Sequence, residues 1–74
     1  MLEVVTMKEI DAIFEVTDAL GVHREALVIP LGTARPGRVR RLPSGKLEIT
    51  VDAEQPFPQW LTELPRLIAA AQGT

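Results

Sequence analysis

Five of the chain's eight basic residues fall within twelve positions: Arg35, Arg38, Arg40, Arg41 and Lys46, in the stretch R-P-G-R-V-R-R-L-P-S-G-K. No acid stands between Glu25 and Glu48. A guanidinium presents a planar fork that matches carboxylates and phosphates, so a cluster of this kind points to recognition of an anion. The rest of the chain is acidic. Residues 1–21 hold five acids against Lys8, and residues 48–74 hold four acids against Arg66. The middle, 22–47, has six basic residues and one acid, so segments of −4, +5 and −3 make up the net −2. Such polarity suits either an anionic partner or the protein's own acidic parts.

Other residues able to do chemistry are few. Cysteine and tyrosine are absent and there is one histidine, His23. It follows the Gly21-Val22 pair, with no second histidine or cysteine to share a metal, and reads as a solvated or locally hydrogen-bonded residue. Ser44 lies in a turn with no base in the pattern, so it reads as a turn residue. Gly32 and Gly37 flank T-A-R-P, but no Lys-Ser/Thr follows to complete a phosphate loop. No catalytic, cofactor-binding or metal-ligating residue is assigned, and the chain is not expected to be an enzyme.

The elements that position the arginines can be argued from the flanking residues. Leu42-Pro43-Ser44-Gly45 has proline second and glycine fourth, the pattern of a type I turn closed by a left-handed glycine bulge. It predicts a hairpin pairing Leu42 with Lys46, Arg41 with Leu47, Arg40 with Glu48, Val39 with Ile49 and Arg38 with Thr50. Leu47, Ile49 and Val51 then face the core, while Glu48, Thr50 and Asp52 face out. Arg38 and Arg40 point outward, and Arg41 snorkels over the rim of the core.

Thr6 and Glu9 form the S/T-x-x-E capping box, with Val5 and Ile10 placed as its hydrophobic staple. Met7, Ile10, Ile13, Phe14 and Leu20 recur at helical spacing, and Gly21 supplies a left-handed stop, predicting a helix over 7–20. Leu2 to Val5 is a short strand or a lead-in to it. Residues 26–31 read as a strand that Pro30 ends or confines to an edge, and Gly32 to Gly37 as a loop. Phe57, Trp60, Leu61, Leu64, Ile68 and Ala71 predict a second helix over 58–71, with Pro58 at its start and a bend at Pro65.

One α+β domain over 1–74 follows, in the order α-β-β-β-α, with a short antiparallel sheet and both helices on one face. A chain of 74 residues that is 46% hydrophobic should fold, yet its own core leaves little margin, so a homodimer paired through 26–31 or the hairpin edge is expected. The apolar run A-L-V-I-P-L is too short for a membrane span, no signal peptide is evident, and a cytoplasmic location is expected.

The order of helix, glycine, strand, hairpin ending in I-T-V-D and apolar helix resembles the front half of the zincin-like metallopeptidases of the ImmA/IrrE type. Those carry H-E-x-x-H on the last helix, where this chain has Thr62-Glu63-Leu64-Pro65-Arg66. The glutamate is kept and both histidines are missing, so the resemblance implies an inactive relative.

The reading favoured by the residues themselves is a non-catalytic interaction module. It presents Arg35, Arg38, Arg40, Arg41 and Lys46 to an acidic protein partner. Trp60 is the candidate anchor of the contact, although its place on the helix stripe suits a core residue better. The alternative is a small nucleic-acid-binding regulator of the antitoxin or repressor kind, using the same hairpin. A sequence pI near 5.2 weighs against it. So does the position of Phe14, Phe57 and Trp60 on helix stripes, where they cannot stack on bases.

Overall fold

Pro43 and Gly45 close the hairpin as their positions require. The computed structural model describes residues 4–73, and in it Gly45 has φ +91° and donates its N–H to the Leu42 carbonyl at 2.9 Å. Strand β3 (Arg38–Arg41) and strand β4 (Leu47–Asp52) pair antiparallel with Arg38 opposite Thr50, Val39 opposite Ile49, Arg40 opposite Glu48 and Arg41 opposite Leu47. This is the register expected from the turn.

The sheet is nevertheless mixed, not antiparallel. Strand β1 (Leu27–Val28) and strand β2 (Thr33–Ala34) both run parallel to β4, at Leu47–Glu48 and Val51–Asp52. Leu47 and Glu48 pair with both β1 and β3, which places those two strands on opposite edges of β4. The expected six-residue strand at 26–31 shrinks to two, because Arg24–Ala26 forms a 3-10 turn and Pro30 has no N–H for a ladder. The expected loop from Gly32 to Gly37 contains β2, followed by a cis Arg35–Pro36 bond. Of Leu2–Val5, only Val4 and Val5 lie within the described residues. Val4 bridges Gly32, and the Val5 N–H donates to the Leu31 carbonyl at 2.8 Å.

Helix α1 (Met7–Ala19) begins with the expected capping box: the Thr6 N–H donates to Glu9 Oε1 at 2.9 Å, and the Thr6 hydroxyl also donates to that carboxylate. Its buried residues are Ile13 and Thr17, with Ile10 and Val16 packed beside them. Met7 and Leu20, expected on the stripe, lie exposed at the helix ends. Helix α2 (Phe57–Gln72) runs unbroken through Pro65 and buries Trp60, Leu64, Ile68 and Ala71. That spacing keeps Pro65 on the exposed side, where its missing N–H leaves a carbonyl to solvent instead of to the core.

Helix α2 packs directly against β3 and β4, and α1 packs against α2. One apolar cluster joins Val5, Ile13, Leu47, Ile49, Val51, Trp60, Leu64 and Ile68. Within the described residues no helix is long and apolar enough to cross a membrane.

Candidate functional site

The hairpin register sets the direction of the basic residues on β3. Arg38 and Arg40 share a face of β3, both exposed. Arg41 is two residues further from Val39 on the opposite face, exposed at its end, and Lys46 follows the turn. Arg35 stands exposed in the bend between β2 and β3. All five are thus held by β3 or the two connections that flank it.

Their charges are unevenly answered. Arg40 Nε meets Glu48 Oε1 at 2.8 Å across the ladder. Arg24, also in the basic segment, pairs with Asp18 at 2.9 Å and lies over the Phe14 ring. Arg35, Arg38, Arg41 and Lys46 form no ion pair with another described residue. The acidic outer face of α1 therefore neutralises none of the hairpin arginines. Four exposed cations are thus left along β3 and its two flanking connections without a counter-ion among the described residues.

Trp60 does not belong to this surface. It is 1% exposed, stacks at a tilt against Phe57 with ring centroids 5.8 Å apart, and lies in the core. Its Nε1 has no hydrogen-bond partner among the described residues. The expectation that Trp60 anchors a contact is replaced by the core position that its helical spacing favoured.

Thr50 and Asp52 were both expected to face out, and both are buried, Thr50 at 8% exposed; Asp52 is the charged one. It is only 7% exposed. Its carboxylate accepts the Glu54 N–H at 2.7 Å and the Gln55 side-chain amide at 3.0 Å, and the Gly37 N–H as well. Burial pushes the carboxyl up, but these three donors outweigh it and hold the group below its usual range. A Cβ at Gly37 would overlap the Asp52 backbone, so glycine is needed where the chain enters β3. The aspartate thus fixes the base of the arginine hairpin. The signal was present in D-A-E-Q, the pattern of an aspartate accepting the N–H two residues on.

Two depressions border the hairpin. One, of about 360 Å³, lies between β3 and α2 and is lined by Val39, Arg40, Arg41, Leu67, Ala70 and Ala71. The other, of about 270 Å³, lies at the turn end beside Val22, Arg41 and Gln72. A third, of about 490 Å³, is lined by no hairpin residue and includes His23 with Asp18 and Arg24. Among the described residues no group of three His, Asp or Glu side chains is placed to hold a metal ion.

No family model matches the chain, and no curated protein or solved structure matches it. The zincin-like order expected from the sequence gains no support from these comparisons, and β2 adds a strand to it. In the run that aligns with the metal-binding motif, Glu63 pairs with Arg66 at 3.2 Å and the Thr62 hydroxyl donates to the Gln59 carbonyl.

Proposed function

We propose that the protein is a non-catalytic interaction module whose β3–β4 hairpin docks an acidic protein partner. The observation that carries this reading is the set of exposed cations Arg35, Arg38, Arg41 and Lys46 without counter-ions among the described residues. Ion pairs on the surface contribute only about 0–1 kcal/mol each, so stability is a weak reason for such a cluster. A partner that brings carboxylates supplies the missing counter-ions and gains orientation from bidentate arginine contacts.

The module acts as a homodimer. Val4, Met7 and Leu31 are 62, 65 and 61% exposed, and Val4 and Leu31 lie at or next to the Val4–Gly32 bridge. Joining two copies there covers apolar side chains that a chain with a small core has reason to bury. Light scattering at tens of micromolar should then give about twice the single-chain mass of 8.1 kDa, and Leu31→Asp should return it to one. A wild-type mass of one chain contradicts the dimer.

The test of the acidic partner uses soluble polyglutamate and a short DNA duplex as probes, against the wild type and the triple variant R35E/R38E/K46E. None of the three replaced residues makes an internal ion pair among the described residues, so the variant should melt with the wild type. At low salt the wild type should bind polyglutamate more tightly than DNA, with affinity falling as salt rises, and the variant should bind neither. Equal binding by wild type and variant, or tighter binding of the duplex, overturns the reading.

A further inference from the structure

Strand β3 is laddered on one edge only. The Leu42 N–H donates to the Lys46 carbonyl at 2.7 Å, and the Gly45 N–H to the Leu42 carbonyl. In an antiparallel ladder the inward-facing groups recur at every second residue, so Arg40 and Arg38 also bond towards β4. The amides and carbonyls of Val39 and Arg41 then face away from β4, and no described strand pairs with them. Alongside this edge runs the groove floored by Leu67, Ala70 and Ala71 of α2, with Arg40 and Arg41 on its rim.

We infer that this edge and groove accept an extended acidic peptide segment as an added strand. The inference rests on the acidic-partner reading and supplies its mode of docking. Main-chain hydrogen bonds from Val39 and Arg41 hold the segment, and its side chains alternate between two environments. One set points towards Leu67 and Ala70 and is small and apolar. The other lies beside Arg38 and Arg40 and is aspartate or glutamate. Four residues of β3 span roughly 13 Å, which about four extended residues cover. A second copy does not fit this edge, because β3 against β3 opposes arginine to arginine. Duplex nucleic acid would meet the cations but leave the backbone edge and the apolar floor unused.

The test titrates the full chain with an N-acetylated peptide of alternating glutamate and valine, followed by fluorescence anisotropy and by amide hydrogen exchange. Binding should slow exchange at the Val39 and Arg41 amides. N-methylation of alternate peptide amides should weaken binding roughly tenfold or more, since it removes ladder hydrogen bonds while leaving every charge. Ala70→Glu, at an exposed helix position, should weaken it as well without unfolding the protein. Equal affinity for methylated and unmethylated peptide, or unchanged exchange at Val39 and Arg41, overturns strand addition while the acidic-partner reading survives. A duplex that displaces the peptide and leaves those two amides unprotected also overturns it. If no acidic peptide of any pattern binds, both fall together.

Discussion

Arg38 and Arg40 lie two residues apart on one face of one strand, yet Glu48 stands opposite only the second. That difference separates a structural role from an available one. Arg40 is engaged in the ladder at 2.8 Å, whereas Arg38 faces Thr50, which offers no charge. Asp52 shows the converse, a charge whose whole value lies inside the fold. Its folded carboxyl titrates below the ordinary 3.8 because three donors favour the ionised form. A depressed carboxyl contributes stability above its unfolded value, and the contribution is lost as pH falls through the folded one. Glu9, lowered from 4.5 chiefly by the Thr6 hydroxyl and amide, acts in the same direction. Urea midpoints should therefore be flat near neutrality and fall below about pH 4.5. Asp52→Asn should cost about 1–3 kcal/mol at neutral pH and shallow that acid limb, because one oxygen acceptor becomes a donor among donors. An unchanged acid limb contradicts the assignment.

The hairpin and the helices were legible from a few residues with strong local demands, and the parallel strands were not. Pro43 and Gly45 determine the turn, the turn determines the register, and the register determines which way Arg38, Arg40 and Arg41 face. Gly45→Ala forces a side chain to φ +91° and should cost about 1–2 kcal/mol, read as a shift in the denaturation midpoint. The pairing of β1 and β2 with β4 depends instead on contacts across eighteen to twenty residues of sequence. Two-residue strands next to Pro30 and Gly32 carry no periodicity from which to read it. Asp52 was misplaced for a related reason: alternation along β4 predicts an outward face, but the bend at Gly37 closes over that face. One helix was expected to continue past Pro65, and α2 does run through it without interruption. Pro65→Ala restores a helix N–H on the exposed side and should raise stability by about 1–3 kcal/mol, measured in the same way.

At the scale of the molecule the charges are segregated and mostly left that way. The acidic face of α1 takes up Arg24 but none of the hairpin arginines, and β3 presents its free edge beside them. Arginines on an exposed edge also discourage two copies from pairing there. The proposed dimer is accordingly assigned to the Val4 and Leu31 side, and the proposed partner to the hairpin. The most direct measurement is an isotope-labelled spectrum of the full chain titrated with polyglutamate at low salt. Shifts should concentrate on residues 35–46 and the facing stretch of α2, and disappear in R35E/R38E/K46E. Shifts centred on His23 to Glu25, or none at all, would contradict the hairpin as the docking surface.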